Sequence, residues 1–141
     1  MTVARQLKLL LTLLALLALV GCASGGAGRG PSDEEQIVAL LDGMLSALQA
    51  EDIEGMAVYY ADDFSGTQGD KAATTQFLTM VRDQGFFAGV EVDQTGRTIE
   101  IDGEQASVNG ISLAGMFGVL AVGFELEKRD GEWIVVAQTQ E

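Results

Sequence analysis

The apolar residues of this chain change their period at Gly85, and that change limits what the chain can fold into. Upstream, Ile37, Leu40, Leu41, Met44, Leu45 and Leu48 recur at spacings of three and four, which marks one face of an amphipathic helix. Ala73, Phe77, Leu78 and Val81 repeat that spacing. Downstream, Val90 and Val92, then Ile99 and Ile101, alternate with acidic residues, the period of a half-buried strand. Three helices followed by four strands predict an α+β domain, its helices packed on one face of a curved antiparallel sheet.

Local punctuation divides these segments. Ser32 with Glu35 forms a capping box, and Asp33, Glu34 and Glu35 favour the positive end of the first helix. Asp52 is placed to cap a second helix, expected to run to about Ala61 and to bury Ile53, Met56, Ala57 and Tyr60. Asp70 caps a third, from Lys71 to about Asp83. Asp102-Gly103 is a hairpin signal. The alternation through Ala106, Val108, Ile111 and Leu113 slips at Asn109-Gly110, which predicts a bulge. A long strand is expected from Phe117 to Glu127, and Asp130-Gly131 turns it into Trp133 to Thr139.

The N-terminus follows other rules. Arg5 and Lys8 precede a nearly unbroken apolar run from Leu9 to Val20, and Gly21 precedes Cys22. A positive start, a short apolar stretch and a small residue before the cut are marks of a secretory signal. The run is short for a membrane span, which needs about 20 residues. Leu19-Val20-Gly21-Cys22 resembles the bacterial lipobox, and the resemblance implies that residues 1–21 are removed and that Cys22 is lipidated. Two or more acyl chains give stable anchoring where one is marginal. Cys22 is the single cysteine of the chain. Residues 22–32, rich in glycine and serine, then form a flexible tether, and residues 33–141 form the domain. The expected location is the extracytoplasmic side of a membrane, and the outer membrane facing the periplasm in a bacterium with two.

Removing residues 1–21 takes away Arg5 and Lys8 but no acid. It leaves 6 basic and 21 acidic residues and a net charge of −15. Such a surface repels nucleic-acid phosphates and anionic headgroups, which are bound by clustered Lys and Arg. Nucleic acid is therefore not an expected partner, and membrane contact is expected through the N-terminal lipid.

Leu48-Gln49-Ala50-Glu51-Asp52-Ile53-Glu54, then Tyr60-Ala61-Asp62-Asp63-Phe64, the capped helix at Asp70 and the closing Asp130-Gly131-Glu132-Trp133-Ile134 together resemble the NTF2-like superfamily, with its SnoaL-like and ketosteroid-isomerase-like members. The resemblance covers residues 33–141 and implies a cone, a curved sheet wrapped around three helices with a pocket at its open end. Where isomerase-like members carry their catalytic carboxylate this chain has Gln68, and an amide is no general base. Where they carry an oxyanion-stabilising tyrosine it has Met44, which offers no hydroxyl.

The chain contains no histidine, which excludes histidine bases, histidine triads and histidine metal sites. No metal or cofactor is implied. If catalysis remains, Asp62 or Asp63 is the candidate base and Tyr60 the candidate donor, in a cofactor-free isomerase or hydro-lyase. Otherwise the domain is a binding module whose pocket draws on Met44, Met56, Tyr60 and Trp133, with Gln68, Asn109 and Gln138 as polar contacts. A structural assembly subunit without a ligand is the third reading. In the Phe117–Glu127 segment Leu120, Val122, Phe124 and Leu126 share one face while Phe117, Val119 and Ala121 hold the other. The last strand repeats this, with Trp133, Val135 and Ala137 opposite Ile134 and Val136. An exposed apolar patch follows, and with it a homodimer through the sheet.

Overall fold

The computed structural model describes residues 29–141. The predicted signal segment, Cys22 and most of the tether lie outside the described residues. Residues 33–141 make one compact unit. Among the described residues its core side chains fall between Ile37 and Val135, so the unit carries its own core.

Helix α1 spans Asp33–Gln49 and buries Ile37, Leu41, Met44, Leu45 and Leu48, as the spacing predicts. Each such side chain contributes roughly 1.5–3 kcal/mol when fully buried. The helix ends with Glu51 in the left-handed region, φ 59°. There the Asp52 amide donates to the Ala47 carbonyl and the Glu51 amide to that of Leu48, the paired closure of a Schellman motif. Asp52 caps α2, accepting from the Gly55 amide at 2.8 Å, and Asp70 caps the later helix through the Ala73 amide at 2.8 Å.

Helix α2 is shorter than expected. It spans only Ile53–Ala57, and the chain is already extended at Tyr60. The reason is tertiary: the Val135 amide donates to the Tyr59 carbonyl at 3.0 Å, and Tyr60 pairs with Val135 in a parallel ladder. Strand pairing with the far end of the chain overrides local helix preference. The remaining elements are β1 (Tyr60–Gly66), β2 (Gly69–Asp70), α3 (Lys71–Asp83), β3 (Glu91–Asp93), β4 (Thr98–Asp102), β5 (Gln105–Gly115), β6 (Gly118–Arg129) and β7 (Glu132–Gln140). Phe117 belongs to the turn between β5 and β6 rather than to the strand. Ala73 lies exposed on α3, where Thr74 is the buried residue instead.

Seven strands, not four, form one sheet in the order β2-β1-β7-β6-β5-β3, with β4 also pairing β5. It is mostly antiparallel, curved and unclosed, and the helices cover its inner face. Two irregularities interrupt its antiparallel ladders. On β5 the register slips between Val108 and Ile111, at the bulge that Asn109-Gly110 predicts, with Gly110 at φ 78°. The slip keeps Ala106, Val108, Ile111 and Leu113 all buried. The second slip lies between β6 and β7: Leu126 pairs with Val135, but Glu125 pairs with Ala137. Val136 is the extra residue, and beyond it β7 changes phase.

Candidate functional site

The inner face of the sheet, α1 and α3 enclose a cavity of about 590 Å³, inside the range of small-molecule sites. Met44 and Leu48 from α1, Met56 from α2, and Val122 and Phe124 from β6 line it. Helix α3 adds Phe77, Leu78 and Val81 to the lining. Of the lining residues, Met80 (49% exposed) and Phe86 (38%) meet solvent, so the apolar lining reaches the surface. Phe117, at the tip of the β5–β6 hairpin, packs edge-on against Phe87 with ring centroids 6.4 Å apart.

Tyr60 is the polar centre of the cavity. It is 1% exposed, and its ring stacks on Phe64 at a centroid distance of 4.2 Å and an angle of 10°. Its hydroxyl donates to Gln138 Oε1 at 3.4 Å, and Lys71 Nζ donates to its backbone carbonyl at 2.8 Å. Burial raises the pKa of the phenol far above its ordinary value, so it stays a neutral donor. Gln138 reaches the cavity because of the β7 slip, which turns Gln138 and Gln140 inward opposite Phe124 and Val122.

Of the residues singled out in the sequence, Met44, Met56, Tyr60, Gln68 and Gln138 line this cavity. Trp133 does not. It is buried at the other end of α1, where its Nε1 donates to Asp33 Oδ1 at 3.1 Å beside a Lys128–Asp33 ion pair of 2.6 Å. These two donors hold the Asp33 carboxyl below its ordinary range. Asn109 is also elsewhere. It sits on the β5 bulge and, with its amide oriented to donate, reaches Glu141 Oε1 at 3.1 Å and the Val108 carbonyl at 3.2 Å. Gln140, Gln84 and Thr67 line the cavity without having been singled out. For Gln140 the missing signal is the strand slip, which no local pattern announces.

The two candidate bases lie outside the cavity. Between Tyr60 and Ser65, β1 advances five residues while β7 advances two, and the excursion turns Asp62 and Asp63 to solvent. Asp62 is fully exposed and pairs loosely with Lys71 at 3.5 Å. Asp63 is gripped by Arg129 through two hydrogen bonds of 2.7 and 3.0 Å, which lower its pKa. A carboxylate so held is a weaker base than a free one, and neither acid faces Tyr60. Among the described residues no cluster of Cys, Asp and Glu is arranged to hold a metal. The arrangement can take up an apolar molecule and offer it neutral hydrogen bonds.

No protein-family model matches the chain, and no curated protein does. Solved structures do, and they show the fold. An NTF2-like protein of unknown function from Pseudomonas putida superposes with a TM-score of 0.65 at 20% identity, over 79% of this chain and 89% of that one. One from Shewanella baltica gives 0.62 at 21% identity, over 80% and 97%. A provisionally named scytalone dehydratase from Novosphingobium aromaticivorans gives 0.64 at 14% identity, over 77% and 83%. The domain has the NTF2-like cone that its sequence resembles.

Proposed function

We propose that this chain is a lipid-anchored binding protein, held on the extracytoplasmic side of a membrane through Cys22, whose NTF2-like cavity takes up a small apolar or amphipathic ligand without transforming it. The observation that carries this reading is an apolar cavity of about 590 Å³ on whose wall, among the described residues, no carboxylate stands to act as a base. The lipobox-like Leu19-Val20-Gly21-Cys22 carries the anchoring. Native mass spectrometry of the protein extracted from membranes tests both parts. Lipid mass on Cys22 and a retained small molecule are expected, and Cys22→Ser should lose the first while keeping the second. Processing of Cys22→Ser just before residue 22 would refute the anchoring. An empty cavity in every preparation would refute the binding.

The outer face of the sheet favours a second copy as partner. Ala114 pairs with Val119 and Ser112 with Ala121, and Gly123 lies between Asn109 and Thr139, so β5 and β6 carry a strip of small uncharged residues there, with Glu91 and Asp93 of β3 beside it. The apolar double face read for the last strand has another cause, the Val136 slip, but Val119 and Ala121 remain on this outer face. A homodimer mass by light scattering at micromolar concentration is expected, and Ser112→Arg should reduce it to the monomer. A monomer mass that persists on concentration would remove the dimer.

A further inference from the structure

Among the described residues, the wall of the cavity carries no charged side chain. Its polar side chains include four glutamines, Gln68, Gln84, Gln138 and Gln140, and no Asp, Glu, Lys or Arg. In a chain with 21 acidic residues, that is a marked segregation. Tyr60 is the titratable residue of the lining, and burial keeps its phenol protonated. The cation next to the lining in sequence, Arg82, is taken up by Asp83 at 2.8 Å.

An ion entering such a space loses its hydration and must find an opposite charge. An anion would meet only amides, hydroxyls and hydrocarbon, after approaching a protein of strongly negative net charge. An ammonium ion would find no carboxylate. Resting on the binding function proposed above, we infer that the cavity selects uncharged ligands: hydrophobes whose polar end is a hydroxyl, carbonyl, ester or amide. A glutamine side chain both donates and accepts, so it serves either sense of hydrogen bond. Gln138 is committed on one side, because its Oε1 accepts from Tyr60, and its NH2 is left to donate to a ligand carbonyl or hydroxyl oxygen.

N-phenyl-1-naphthylamine and 1-anilinonaphthalene-8-sulfonate share one aromatic body and differ by a sulfonate. Titrated into residues 29–141, the neutral dye should bind saturably and the sulfonate at least about tenfold more weakly. Gln140→Lys places a cation at the mouth and should bring sulfonate binding to within about threefold of the neutral dye. Circular dichroism melting confirms that the variant is folded. Equal binding of both dyes by the native domain overturns the charge selection and leaves the binding function standing. Unchanged sulfonate binding in folded Gln140→Lys overturns it too, since shape rather than charge would then exclude the anion. Failure of the neutral dye to bind removes both.

Discussion

Replacing Gly110 by valine should cost about 2–6 kcal/mol of stability, read as a large fall in the urea midpoint. Gly110 sits at φ 78°, a region that a β-branched residue adopts only under strain. A side chain there also meets backbone. A Cβ added at Gly110 collides with the Gly96 carbonyl oxygen and comes within 3.0 Å of its carbon. A flexible side chain could turn away, but the turn between β3 and β4 cannot move without disturbing both ladders on β5. For a domain whose whole stability is typically about 5–15 kcal/mol, this is a severe loss. Gly103→Val is the control: its φ is 62° with nothing within 4 Å, so it should show the backbone strain alone. Equal midpoints for the two variants would refute the collision.

Phe64→Ala should cost about 3–5 kcal/mol and weaken binding of the neutral dye. Phe64 is 1% exposed and lies flat against Tyr60 at 4.2 Å. Removing it opens a void behind the ring and frees Tyr60 to tilt away from Gln138. Tyr60→Phe separates the two effects. It keeps the stack and gives up one long hydrogen bond of 3.4 Å, a change of about 1 kcal/mol or less. Denaturant midpoints and dye titrations on both variants measure the contrast. A Phe64→Ala protein within about 1 kcal/mol of native would mean that the stack supports neither the core nor the site.

What the sequence reveals here is local, and what it hides depends on distant pairing. The α1 face, the caps at Asp52 and Asp70, the turns at Asp102-Gly103 and Asp130-Gly131 and the slip at Asn109-Gly110 each lie within a few residues of their cause. Tyr60 reads as helical because only β7, at the other end of the chain, makes β1 a strand. Asp62 and Asp63 look like a close pair of bases until the excursion of β1 turns both outward. Trp133 is apolar, inward and still remote from the cavity, since periodicity gives the face of a strand but not the height along it. Gln138 and Gln140 enter the cavity through a one-residue slip at Val136, which in the sequence resembles a strand apolar on both sides.

The attachment of α1 has a mechanical consequence. The chain enters the domain at Asp33, where Lys128 and Trp133 hold the Asp33 carboxylate, whereas Met44 and Leu48, which line the cavity, lie towards the other end of the 17-residue helix. Such a helix is about 25 Å long. A tug delivered through residue 32 is therefore borne first by that hydrogen-bonded clasp and by the strands that carry it. Ile37 and Leu41, both fully buried, come next in the path of the load, ahead of any residue of the cavity. A pull applied there would strain the Asp33 clasp first, and the cavity would keep its shape.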